Sequence, residues 1–252
     1  DLVVLFSDQK RFLSSTESKW CPKLEDISVQ SPSFSSVKPL NLSVVGIGPG
    51  DLSLLTLRGQ MAIANAQVVI GAKRQLEAIE LLLKDNVQTF EVNGRIGELV
   101  VLIDSAKSQG VGNIAILASG DPLVYGIGQR LREQYPEIEI ISGISAIQYF
   151  FTKIPIPMED VYVTSCHGKP FDPKWVDSFQ KVAMVTDANW HPGAIANALL
   201  DYPCVLYIGR NLGYPEETIL SGTPKQLANY CHVGLHVDRK STRLNSSHGI
   251  IS

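Results

Sequence analysis

From residue 42 the chain alternates between short apolar runs and stretches with helical spacing. The runs 42–45, 68–70, 87–92, 113–118 and 138–141 are too short for buried helices and rich in Val and Ile, so they predict strands. Between them, 54–66 places Leu54, Leu55, Leu57, Met61 and Ala64 on one side of a helix. Residues 73–83 read as a second helix. Residues 96–109 carry the stripe Leu99, Val100, Ile103 and Ala106, and 125–135 predicts a further helix. Strands alternating with helices predict a parallel sheet covered on both faces. A second series follows Pro155 and Pro157. It has strands at 161–164, 182–186, 205–208 and 233–237, and helices at 192–200 and 224–230. The expected organisation is an N-terminal α/β domain over 41–152 and a C-terminal α/β domain over 153–237.

The two ends break this pattern. Residues 1–40 are crowded with serine and contain Pro22, Pro32 and Pro39. That composition predicts a poorly defined leader, non-native or disordered. Its apolar start, within 1–13, is compatible with one extra strand but stays outside the two domains. Residues 238–252 begin DRKSTRLNSSH and resemble the in-frame translation of a sequencing-library adapter. They are expected to be an artefact tail, with coding sequence continuing past Val237.

Composition narrows the function classes. The 252 residues are 44% hydrophobic and 19% charged, which excludes disorder for most of the chain. A net charge of -3 gives no general attraction to nucleic acid, so no such partner is expected. No run approaches the ~18 apolar residues of a membrane span, so no membrane partner is expected either. Cys21, Cys166, Cys204 and Cys231 are widely spaced and form no CxxC pair. That predicts neither a disulfide framework nor a metal site, and fits a reducing cytoplasm. His232 and His236 share one side of the expected last strand but lack a third ligand.

Three strand exits carry candidate chemistry. Gly46-Ile47-Gly48-Pro49-Gly50-Asp51 lets the backbone turn sharply and approach a ligand. Its spacing is not GxGxxG, and Pro49 lacks an N–H for phosphate, so a dinucleotide loop is disfavoured. Ser119-Gly120-Asp121-Pro122-Leu123-Val124-Tyr125-Gly126 ends the most apolar strand, where open parallel sheets bind ligands. Ser142-Gly143-Ile144-Ser145-Ala146 is a third strand-to-helix exit. Read alone, each is equally a turn or a helix cap, with Asp51, Asp121 and Ser145 as capping residues.

Together, GIGPGD, SGDPLVYG and SGISAIQ resemble the tetrapyrrole (corrin/porphyrin) methylase family over roughly residues 41–237. Thr164-Ser165-Cys166-His167-Gly168-Lys169, Val185-Thr186-Asp187 and the run from Tyr207 to Glu217 resemble its members that methylate C(5) of precorrin-7 or cobalt-precorrin-7. The resemblance implies two αβα domains with S-adenosyl-L-methionine (SAM) in the cleft between them, usually in a homodimer. It implies a precorrin-type substrate in cobalamin biosynthesis. In some relatives a C(15)-methyltransferase/decarboxylase is fused to this domain, so a fused or separate partner of that kind is implied. Other superfamily members, and a non-catalytic SAM-binding module, remain as alternatives.

Carried onto this chain, the family's cofactor contacts fall on Pro49, Ser119, Gly120, Asp121, Val124, Ser145, Ala146, Thr186 and Gly222. Lys169 and Arg210 become candidates for pairing substrate carboxylates, and the family usually has an acidic residue where Arg210 stands. The reaction needs in-line placement of a methyl donor more than a catalytic triad. His167 and Asp121 are candidates for moving the proton released on tautomerisation. Tyr125, Tyr149, Phe150 and Phe151 are read as core or dimer packing.

Overall fold

The computed structural model describes residues 2–7, 42–154 and 156–230. They form two five-stranded sheets. The expected strand at 233–237, with His232 and His236, the tail 238–252 and most of 1–40 lie outside the described residues.

The first sheet holds β2 (Leu42–Gly46), β3 (Val68–Gly71), β4 (Gln88–Glu91), β5 (Ile114–Ala118) and β6 (Glu139–Ile141). All its pairings are parallel, in the order β4-β3-β5-β2-β6. Alternate residues feed opposite faces, as the strand pleat requires. Val44, Ile70 and Ile116 pack on one face with Leu99 and Ile103 of α3 (Ile96–Ser108) and with Leu131. Val45, Val69 and Leu117 pack on the other with Ile63 of α1 (Leu57–Ala64) and Ile79, which follows α2 (Lys73–Ala78). Strands covered on both faces explain the uninterrupted apolar runs.

Helix phase and length differ from expectation in three places. Leu57 is 72% exposed and Met61 45%, while Gly59, Ala62 and Ile63 face the sheet. The Thr56 hydroxyl accepts from Gly59 N–H and starts α1 three residues later than predicted, which resets its phase. The helix expected over 73–83 ends at Ala78 and resumes as a 3-10 turn, Glu80–Leu82. The helix expected at 125 begins only at α4 (Gly128–Gln134), because Tyr125 has a φ of +55° that no α-helix admits.

The second sheet is mixed. It holds β1 (Leu2–Ser7), β7 (Val161–Ser165), β8 (Lys181–Val185), β9 (Cys204–Arg210) and β10 (Thr218–Gly222), in the order β10-β9-β1-β8-β7. Only β7 and β8 pair in parallel; β10 returns as a hairpin on β9. Strand β10, TILSG, and α6 (Lys174–Ser178) carry no clear periodicity and are absent from the sequence reading. The larger correction concerns β1. Residues 2–7, expected in a leader, run antiparallel between β8 and β9 at the centre of the sheet. The apolar, β-branched LVVLFS run suits a position paired on both sides.

One face of this sheet packs Val3, Val182, Met184, Leu206 and Ile208 against Ile195 of α7 (Pro192–Ala198), Leu227 of α8 (Pro224–Leu227) and Phe171. The other face packs Leu2 and Ala183 against Ile147, Phe150 and Phe151 of α5 (Ala146–Lys153). Helix α5 starts just beyond β6 of the first sheet and lies on the second, so it joins the two. Of the four aromatics expected in core or dimer packing, Phe150 and Phe151 are core and Tyr149 packs half-buried against them, while Tyr125 is 53% exposed and so is not core.

Candidate functional site

The exits of β2, β5 and β6 lie side by side because the three strands are parallel neighbours. Ile47 N–H donates to Ala118 O at 2.9 Å, and Gly48 and Gly120 exchange backbone hydrogen bonds of 3.2 and 2.8 Å. The third exit is tied in by Asp121. One carboxylate oxygen accepts from Gly143 N–H at 3.2 Å, the other from Leu123 N–H at 2.8 Å. A Cβ on Gly143 would sit 2.2 Å from Gly120 O and 2.6 Å from Gly46 O. The three motifs thus close on one another through bare backbone, which calls for glycine at Gly46 and Gly143, while Gly120 takes a φ of +66°.

Around this junction stand most of the first sheet's candidates. Pro49 is buried beside Gly48. Ser145 accepts from Gln148 N–H at 3.1 Å and caps α5, with Ala146 as its first residue. The Ser119 hydroxyl accepts from Gln75 Nε2 at 3.0 Å, and Gln75 Oε1 accepts from Ala72 N–H. Gln75 is absent from the sequence reading. With Ala72 at the N-cap there is no capping box to signal Gln75, and its bond to Ser119 spans 44 positions.

Val124 lies further along the loop that leaves β5. It lines a cavity of about 430 Å³ with Leu123, Tyr125, Gly126, Gln129 and Val163. Leu123, Val124 and Tyr125 are all exposed. Tyr125 holds its left-handed conformation, which costs ~1–3 kcal/mol for such a residue, while its hydroxyl donates to Val163 O of β7 at 2.8 Å. The loop therefore spans from the first sheet to the second. Burial raises the Tyr125 pKa, with Tyr162 adding to the shift.

The second sheet brings another group together. Register places Ser165, Val185 and Gly209 at one edge, through Leu2. His167, Lys169, Thr186 and Arg210 follow those strand ends. Asp187 organises the loops after β7 and β8, accepting from Asn189 and Trp190 N–H at 2.9 and 2.8 Å and from Gly168 N–H at 3.5 Å. Burial alone would raise the Asp187 pKa; these donors and the nearby His167 outweigh it and hold it low. Thr186 is buried, whereas His167 and Lys169 are exposed. Gly222 is not in this group: it pairs with Leu206, well down β9 from Arg210, and packs against α8. Among the described residues no cluster of His, Cys, Asp and Glu could hold a metal ion, and no helix is long and apolar enough to cross a membrane.

The model of the family Tetrapyrrole (Corrin/Porphyrin) Methylases matches residues 41–228. This chain belongs to the tetrapyrrole methylase family. A Salmonella typhimurium cobalt-precorrin-7 C(5)-methyltransferase is 37% identical over 183 residues, which cover 71% of this chain and 88% of that protein. The crystal structure of an Archaeoglobus fulgidus precorrin-6Y methylase superposes with a TM-score of 0.58 at 22% identity, covering 73% of this chain and 90% of that one. A Thermus thermophilus uroporphyrin-III C-methyl transferase, crystallised with S-adenyl homocysteine, gives 0.57 at 20% identity over 75% and 85% of the two chains. The two-sheet architecture is therefore that of the methylase family.

Proposed function

We propose that this protein is a SAM-dependent methyltransferase that methylates C(5) of precorrin-7 or cobalt-precorrin-7 in cobalamin biosynthesis. The observation that carries the reading is the 37% identity across 88% of the Salmonella typhimurium enzyme. The residues fit SAM. The glycines at Gly46 and Gly143 let the three strand exits close on one another, and Leu123, Val124 and Tyr125, just beyond Asp121, offer exposed apolar surface for a nucleoside or thioether. When bound, SAM supplies a methyl already activated on a sulfonium.

Pro49, Ser119, Gly120, Ser145 and Ala146 line the donor's place, with Val124 flanking it and Thr186 meeting it from the second sheet. Asp121 keeps acceptor capacity after its two backbone bonds, since each oxygen has a second lone pair. Gly222 would reach the donor only through α8 or a neighbouring segment. Lys169 and Arg210, at the second sheet's edge, suit the carboxylates of the macrocycle. His167 is the better placed of the two proton-handling candidates, because it shares that edge with Lys169 and Arg210. The protein's main contribution is orientation and exclusion of water, worth ~7–11 kcal/mol in favourable cases. We read 41–152 and 153–237 as the two domains, with residues 2–7 completing the second.

We further propose a homodimer, supported by Leu57 and Met61, apolar, exposed and one turn apart on α1. Cys166 and Cys204 are buried and unlinked, which fits a reducing cytoplasm. A C(15)-methyltransferase/decarboxylase, fused or separate, is the partner the reading implies.

Two measurements test the activity. Calorimetry with S-adenosylhomocysteine should give saturable binding. Incubation with SAM and either precorrin-7 or its cobalt form should then add one methyl by mass spectrometry. Binding without transfer to either substrate would reject the C(5) assignment. Asp121→Ala should weaken S-adenosylhomocysteine binding, because it frees Gly143 and Leu123 and removes an acceptor. Unchanged affinity would remove Asp121 from the donor site.

A further inference from the structure

The segment joining β9 to β10 is longer than a tight hairpin needs. Its residues 211–217 reach across to the loop 49–51. The Tyr214 ring lies against Gly50, where a Cβ would come within 2.2 Å of its Cε2. A Cβ on Gly213 would sit 3.1 Å from Pro49 C, Gly50 N and Asp51 N. Behind the ring, the Arg74 guanidinium carbon lies 3.4 Å from the ring centroid, and its Nη2 donates to Asn211 Oδ1 at 3.4 Å. The turn itself is braced. Gly213 N–H donates to Glu217 Oε2 at 2.8 Å, and Glu217 Oε1 pairs with Lys153, the last residue of α5, at 3.0 Å. Asn211 takes a φ of +46° and Gly213 one of +78° to make this shape.

The loop being gripped depends on two glycines with positive φ. Gly48 has a φ of +78° and Gly50 one of +146°, conformations that glycine leaves readily. Pro49 has no N–H with which to anchor it. The Gly48–Gly120 hydrogen bonds hold one end of the loop, and a flat ring pressed from outside and backed by a cation holds the other at Gly50.

We propose that Tyr214, backed by Arg74, is a positioning residue for the methyl donor: it fixes the loop 49–51 and makes donor affinity depend on the seating of the β9–β10 segment. This rests on the SAM-dependent reading. It gives a role to the Gly213-Tyr214-Pro215-Glu216-Glu217 motif that contact with substrate does not require.

The test is S-adenosylhomocysteine calorimetry on the whole protein, with steady-state methyl transfer and thermal midpoints on the same samples. Tyr214→Ala should weaken binding about tenfold and raise the KM for SAM similarly, with kcat changed much less. Arg74→Gln should weaken binding about threefold. Tyr214→Phe keeps the ring and should match the wild type. If Tyr214→Ala fails to fold, Tyr214→Leu, which keeps bulk but not the flat face, takes its place. Wild-type affinity in both Arg74→Gln and the non-aromatic variant overturns the proposal, as does a lower midpoint with binding intact. Failure of the wild type to bind at all would instead overturn the SAM-dependent reading.

Discussion

Gly143→Ala should break the donor site and cost stability together. The added methyl meets the carbonyl oxygens of Gly120 and Gly46 and the Gly46 carbonyl carbon, the last at 2.7 Å. None is the end of a flexible side chain, so the exits of β2, β5 and β6 must move apart. Overpacking of a well-filled site costs ~1–3 kcal/mol, and rigid backbone on every side puts this case at the top of that range. Urea unfolding should report the loss, and calorimetry with S-adenosylhomocysteine should show binding abolished. Gly97→Ala is the control. It lies in the first turn of α3, exposed, with nothing within 4 Å of an added Cβ. It should gain up to ~1 kcal/mol from helix propensity and bind as the wild type does. Equal behaviour of the two variants would refute the close contact of the three motifs.

Val3→Asp should unfold the second sheet while leaving the first intact. Val3 has no exposed surface and packs with Met184, Ile208, Ile195 and Phe171. Among the described residues its strand is the one that pairs with both β8 and β9. A carboxylate there has no partner, and an uncompensated buried charge costs ~3–5 kcal/mol. Trp175 and Trp190 pack against this cluster, so their fluorescence should shift to that of solvated indole at lower denaturant. The parallel sheet should keep its far-ultraviolet signal in the same samples. A transition unchanged in midpoint would show that β1 does not carry the sheet.

The parallel half was legible because its signals are local. Apolar runs such as IAILA and the α3 stripe state strand and helix over a few residues, and the glycine-rich exits mark where one becomes the other. What the sequence hid depends on distance. Leu57 and Met61 fit an apolar stripe, but the Thr56 cap and the fit of Gly59 against Val45 turn them outward. Nothing in LVVLFS says that its partners begin 175 positions later, and the serine-rich run after it points the other way. At the site, glycine spacing identified the three turns. The side chains that secure them, Gln75 on Ser119 within the first lobe and Tyr214 on Gly50 across the two, act over distances that no periodicity reaches.

The central place of β1 also orders events during synthesis. Its partners β8 and β9 leave the ribosome only after the whole parallel sheet has been made, roughly 10–35 s later at ordinary elongation rates. Throughout that interval an apolar, pairing-competent strand stays without its template while the β2–β6 half can already fold. Nascent chains are then most vulnerable to aggregation or to capture by chaperones. Slowing elongation while residues 8–180 are made should lower the yield of native protein more than slowing it after residue 210.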